Sequence, residues 1–202
     1  MTRDVAPFAS HTDTVCATRV SSGDERVAGA CAKVGEDAPF FSIVMPCYGV
    51  EAYIGQALEC ILKQTERSWE LIVVDDATPD ASASIAERAA AGDARIRVVH
   101  HERNLGLSGA RNTGISQARG EYVWICDPDD TYEPDVLSRA RRALEHSHAD
   151  VCLFGYCEEY YDESGAFMYR NDLPLEAGEY LSPQDWHSLV IAWESSTHFG
   201  YA

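Results

Sequence analysis

The feature that most constrains this chain is a change of rhythm at Phe40. Short β-branched runs then alternate with stretches whose apolar residues recur at helical spacing. Phe41–Met45, Glu70–Val74, Arg95–Val99, Tyr122–Cys126 and Val151–Phe154 read as strands. Continuous apolar runs of this length suit strands covered on both faces. Between the first two, Tyr53, Ile54, Ala57, Leu58, Ile61 and Leu62 form an amphipathic helical stripe. Ala81–Ala91, Ser108–Ala118 and Asp135–His146 follow the same pattern. Strand and helix taking turns predicts right-handed crossovers over a mostly parallel sheet, so the expected fold class is α/β.

The ends of the chain read differently. Residues 1–38 mix small and polar residues without period and are expected to form a flexible leader, with residues 39–202 as the folded domain. Toward the far end, Asp162-Glu163-Ser164-Gly165 separates Tyr156–Tyr161 from Ala166–Arg170 and predicts a hairpin. Pro183–Trp193 has the pattern of one more helix.

Charge narrows the function classes. The 202 residues carry 16 Lys+Arg against 33 Asp+Glu, a net charge of −17. Such a surface opposes duplex binding, which draws on basic residues against phosphate, so nucleic acid is not an expected partner. Residues 121–202 hold 17 of the acids, and clusters of acids at a strand end are able to hold a cation. Seven cysteines without a CxxC pair fit reduced thiols in a cytoplasmic protein, with Cys126 and Cys152 as small core residues. The longest apolar runs, such as Leu71–Val74, fall far below the ~20 residues that span a bilayer. No transmembrane segment is expected, and association with a membrane would be peripheral.

In an open α/β sheet, ligands bind beyond the carboxyl ends of the strands. The segments there are Pro46-Cys47-Tyr48-Gly49, Asp75-Asp76-Ala77-Thr78, His100–Leu107 and Asp127-Pro128-Asp129-Asp130. Neither GxGxxG after the first strand nor GxxxxGK[ST] occurs, which disfavours NAD enzymes and P-loop NTPases. Asp127 and Asp129 offer another device, hard oxygen ligands for Mg²⁺ or Mn²⁺ that would neutralise phosphate. The histidines at 100, 101, 146 and 148 lack partners at zinc spacing and read as solvated side chains.

Four motifs in order, Ile43–Tyr48, Leu71–Asp76, Asn104-Leu105-Gly106 through Gly114, and Gly120-Glu121-Tyr122 leading to Asp127–Asp130, resemble glycosyltransferase family 2 over about residues 40 to 160. The resemblance implies the GT-A nucleotide-diphospho-sugar fold and transfer of a sugar, with inversion, from a UDP-sugar to a glycan or lipid-linked acceptor in cell-surface polysaccharide synthesis. It implies a protein of the cytoplasm or of the inner face of the membrane.

Carried over residue by residue, Asp127 and Asp129 stand as the DxD motif, with Asp127 near the donor ribose and Asp129 on the metal. Asp130 would support their loop. Asp76 would meet the nucleotide base, because a carboxylate accepts the imino hydrogen of uracil. Asp75 would anchor the loop beside it. Pro46 and Tyr48 would receive the base, and Arg111, in the first turn of the helix from Ser108, would face nucleotide oxygens. Gly49 stands where the family has Asn, and Ala77-Thr78 where it has Gly-Ser.

No general base is identified. Glu194 and Asp185 are available but sit in no recognised motif, so the expected domain is one cut short on its acceptor side. Two other classes compete: a non-catalytic module that binds sugar nucleotides, and a phosphatase of the haloacid-dehalogenase type, whose DxDxT pattern Asp127–Thr131 satisfies. The phosphatase motif belongs after a first strand and needs a later lysine, whereas the last lysine here is Lys63.

Overall fold

The computed structural model describes residues 9–10, 16–19 and 38–173, apart from residues 148, 154, 163 and 165. Its centre is a parallel sheet of β3 (Phe41–Cys47), β4 (Trp69–Asp75), β5 (Ile96–His100) and β6 (Tyr122–Ile125), ordered β5-β4-β3-β6. The connections carry α1 (Ile54–Leu62), α2 (Ser82–Gly92) and α3 (Gly106–Ser116), and α4 (Val136–Ser147) follows β6. This is the α/β architecture that the alternation of runs implies.

β3 and β4 are buried along their whole length on both faces, which explains their unbroken apolar runs, and β5 at the edge is half-buried. Ile43, Met45, Leu71, Val73 and Trp124 pack in one cluster with Ile54, Leu58 and Ile61 of α1 and Leu137 and Leu144 of α4. Val44, Ile72, Val74 and Val123 meet Ala110 of α3 on the other side. That second layer is thin because α3 lies close to the sheet: a methyl group added at Gly114 would run into Val44 Cγ1. Small residues on α3 are therefore a condition of the packing.

Two pieces of the expected leader are strands. β2 (Cys16–Arg19) lies antiparallel between β6 and β7 (Val151–Leu153), with Ala17 opposite Trp124 and Cys152. β1 (Ala9–Ser10) pairs with β8 (Tyr156–Tyr161), which forms the expected hairpin with β9 (Phe167–Leu173). Short polar strands of this kind carry no hydrophobic period, so they are invisible until an open sheet edge gives them partners. The helix read over Pro183–Trp193 lies outside the described residues, as do Asp185 and Glu194.

The amino end of the sheet is closed by a buried carboxylate. Glu70, 2% exposed, accepts hydrogen bonds from Ser42 Oγ at 2.7 Å and from Arg119 N, Nε and Nη2 at 2.8 to 3.0 Å, with Arg97 Nη2 at 3.2 Å. Gly120 N donates to Ser42 Oγ at 2.8 Å. A side chain at Gly120 would strike the backbone at Phe41 and Ser42, so this junction of β3, β4 and β6 requires glycine.

Candidate active site

The strand order places a topological switch at the β3–β6 pair, since the chain moves from β3 outward through β4 and β5 and then returns to the other side of β3. Crevices form at the carboxyl ends of such pairs. Here the crevice is built into the sequence. Pairing between β3 and β6 runs from Phe41–Tyr122 to Val44–Ile125, and Cys126 N donates to Val44 O. Pro46, two residues on, faces the same side of the strand and has no N–H to offer. The ladder stops, β3 continues beside β4 alone, and the two chain segments part.

The hollow that opens has a volume of about 400 Å³. Its wall brings together Pro46 and Tyr48 after β3, Asp76 after β4, Asn104, Gly106 and Leu107 at the start of α3, and Asp127 and Asp129 after β6. Of the residues singled out from the sequence, Asp75, Arg111 and the loop-supporting Asp130 do not line it. Asp75 is committed inside its loop: Oδ1 accepts from Thr78 N at 2.8 Å and Oδ2 lies 2.9 Å from His100 Nδ1. Arg111 donates from Nη2 to both oxygens of Asp127, at 2.9 and 3.0 Å. It occupies the second turn of α3, because the helix opens at Gly106, ahead of the expected Ser108.

Asp76 explains that early start. Its carboxylate accepts from Leu105 N and Gly106 N, each at 2.8 Å, and so supplies the first amide donors of α3 with acceptors from another loop. A negative group there also meets the positive end of the helix. Burial pushes the Asp76 carboxyl up, but hydrogen bonds from His101, Leu105 and Gly106 outweigh this and hold it below its ordinary range. It is ionised at neutral pH.

The two histidines at this end are structural participants, contrary to the reading of them as solvated. His101 is 9% exposed at its side chain, with Nδ1 2.6 Å from Asp76 Oδ1 and Nε2 2.9 Å from Thr113 Oγ1. His100 is half-exposed and lies between Asp75 and Glu87. The signal was present in the sequence: an Asp pair and a His pair close two neighbouring strands, and the parallel register sets Asp75 beside His100.

The Tyr48 loop is held from the side. Gly49 N donates to Thr78 Oγ1 at 2.9 Å, Val50 N to Ser82 Oγ at 3.1 Å and Glu51 N to Asp80 Oδ2 at 3.1 Å. Asp80 also accepts from Thr78 Oγ1 and Ser82, and these bonds, the Ser82 hydroxyl first, hold its carboxyl far below the usual range. Gly49 (φ +68°) and Ala77 (φ +57°) both occupy left-handed backbone, so the two departures from the family pattern fall where conformation is most demanding. Tyr48 itself is 51% exposed, its ring open to a partner. Cys47 forms part of the floor, but burial, aided by the Asp75 charge, pushes its thiol up to about 12, so it is not a nucleophile here.

The acidic loop turns at Pro128, with Asp130 N reaching back to Asp127 O at 3.3 Å. Tyr132 donates from its hydroxyl to the same carbonyl at 2.9 Å while its ring stands edge-on to Trp124. Asp130 is buried beneath the turn and Asp129 is exposed at its tip. The loop ends well before α4, so it does not cap that helix. Among the described residues, no three His, Cys, Asp or Glu side chains gather into a complete metal site. Asp127 and Asp129 are two carboxylates, one of them already bonded to Arg111 through both oxygens, so a divalent cation here would have to take most of its ligands from phosphate oxygens and water.

The model of the family described as glycosyl transferase family 2 matches residues 42–192, three quarters of the chain. The chain belongs to that family. It is 42% identical over 121 residues to an uncharacterized glycosyltransferase, EpsJ, of Bacillus subtilis strain 168, covering 60% of this chain and 35% of that protein. It is 38% identical over 128 residues to the glycosyltransferase GlyG of Streptococcus pneumoniae, covering 63% and 42%. The chain thus spans less than half the length of these relatives.

Among solved structures, S. aureus TarS 1-349 in complex with UDP superposes with a TM-score of 0.52 at 32% identity, covering 55% of this chain and 33% of that one. A mannosyltransferase from Pyrobaculum calidifontis, in complex with GDP-Man and Mn²⁺, gives 0.50 at 28% identity, covering 53% and 32%. The parallel sheet is therefore the GT-A fold of this family. The phosphatase pattern at Asp127–Thr131 is accounted for otherwise, since it follows the fourth strand of that sheet and not the first.

Proposed function

We propose that this chain forms the donor-binding part of a glycosyltransferase that moves a sugar, with inversion, from a UDP-sugar to a glycan or lipid-linked acceptor during cell-surface polysaccharide synthesis. The single observation that carries the reading is that Asp76 and Asp129, from loops over fifty residues apart in sequence, line one hollow at the topological switch. The uracil ring would sit against Pro46 and Tyr48 with Asp76 at its imide edge. Asp127 and Asp129 would hold Mn²⁺ or Mg²⁺ against the diphosphate, where the cation would offset the charge that builds on the leaving group. Arg111, by binding Asp127, sets the orientation of that carboxylate and adds positive charge behind it.

Support for the nucleotide comes from the TarS structures with UDP and UDP-GlcNAc and from the mannosyltransferase with GDP-Man and Mn²⁺. No described helix is long and apolar enough to cross a membrane. No residue is assigned here as the base that removes the acceptor proton.

Calorimetry with Mn²⁺ and UDP tests the proposal. Asp129→Ala should lower metal-dependent UDP affinity at least hundredfold, about 2.7 kcal/mol, while leaving the melting temperature in place because Asp129 is exposed. Asp76→Ala should weaken UDP more than inorganic diphosphate. Unchanged affinity in the first variant removes the metal assignment, and equal losses in the second remove the base assignment.

A further inference from the structure

The Asp76 carboxylate has four acceptor positions, and among the described residues three of them are filled. Oδ1 takes the Leu105 amide and the His101 ring, and Oδ2 takes the Gly106 amide. A carboxylate only accepts, so Nδ1 of His101 must carry the proton it shares with Oδ1. In the neutral ring Nε2 then accepts from the Thr113 hydroxyl, and the imidazole is fixed at both ends by groups on different elements. At 9% exposure it has no room to turn. Among the described residues, the acceptor position left over is on Oδ2, on a residue that lines the hollow.

We infer that His101 and Thr113 are positioning residues that set base selectivity, by saturating one oxygen of Asp76 so that the site accepts a base offering one edge N–H and rejects a base offering two. The inference rests on the nucleotide reading of the hollow. Uracil presents a single imide N–H. Guanine presents a ring N–H and an adjacent amino group, a pair that a carboxylate satisfies only with both oxygens available. With Oδ1 occupied, the second guanine donor is desolvated without a partner, a loss worth about tenfold in affinity or more. Neither residue touches the nucleotide, and both act through the carboxylate.

The test compares UDP, GDP and inorganic diphosphate, each with Mn²⁺, by calorimetry on the chain as it stands. The wild type should bind UDP at least tenfold tighter than GDP. His101→Ala frees Oδ1 and should cut the UDP-to-GDP ratio at least fivefold with diphosphate affinity unchanged. His101→Asn, whose amide nitrogen reaches the place of Nδ1, should restore most of the ratio. Thr113→Val should shift it the same way by a smaller factor, and serves if the alanine variant does not fold. A wild type without preference for UDP over GDP, an unaltered ratio in both variants, or equal loss of all three ligands would overturn the inference. Absence of any Mn²⁺-dependent UDP binding by the wild type would instead overturn the nucleotide reading beneath it.

Discussion

The two ends of the parallel sheet both bury carboxylates, and they use them in opposite ways. At the amino end Glu70 is enclosed by Ser42, Arg97 and Arg119, and its acceptor positions are spent on the chain itself. At the carboxyl end the acids form a gradient, from Asp76, nearly buried with one acceptor position left, through Asp127, held by one arginine, to Asp129 at the exposed tip. A closed network locks the strands in register. A graded one leaves bonding capacity pointing outward, which is what a ligand requires. The same residue type is thus structural at one end and available for chemistry at the other, and satisfaction of lone pairs distinguishes the two.

The largest effect should follow from breaking the closed end. Glu70→Ala leaves the buried Ser42 hydroxyl hydrogen without its acceptor and the Arg97 and Arg119 guanidinium groups without their shared carboxylate, and should cost about 3 kcal/mol in denaturant unfolding while UDP affinity of the folded fraction stays the same. A variant that loses UDP binding in step with stability would show that the ends are not independent. Acid sharpens the point. Burial pushes the Glu70 carboxyl up, but bonds from Arg119 and Ser42 win and hold it low, as they do in kind for Asp76 and Asp80. Groups with lowered values stabilise the fold fully above the ordinary carboxylate range, and this contribution is lost as pH falls below about 4. Glu70→Gln should flatten that acid limb, measured as melting temperature against pH.

A middle-sized effect is expected at the open end. Tyr132→Phe removes the hydroxyl that supports the Asp127 carbonyl and should cost about 1 kcal/mol of stability, with a several-fold loss of Mn²⁺-dependent UDP affinity. Loss of stability alone would place Tyr132 with the closed end. The smallest effect is a gain. Ala77→Gly relieves a left-handed alanine and should stabilise the fold by about 0.5–1 kcal/mol, leaving affinity for UDP as it was.

The core was legible in the sequence because burial on both faces writes itself as unbroken apolar runs, and the strands from Phe41, Trp69, Ile96 and Tyr122 lie where those runs do. Helix starts were less legible. The start of α3 moved from Ser108 to Gly106 because its cap comes from Asp76, thirty residues away, and local capping signals carry no trace of it. β2 was missed for a related reason: its stability lies in the neighbours it joins. His101 shows no metal-ligand spacing, and its signal lies instead in the pairing of parallel strand ends that sets it against Asp76. Residues named for the site fell together where backbone topology converges the loops after β3, β4 and β6, while Asp75 and Arg111 turn to partners beside that hollow and do not line it.

The proline at position 46 has one more consequence. An amide that is chemically missing cannot re-form a bond on cooling, crowding or crystallisation, so the cleft between the first and fourth core strands is a fixture of the polymer and not one conformer among several. Entry of a guest then involves no prying apart of strands, and its rate should be governed by diffusion and by the Tyr48 loop, with a shallow temperature dependence.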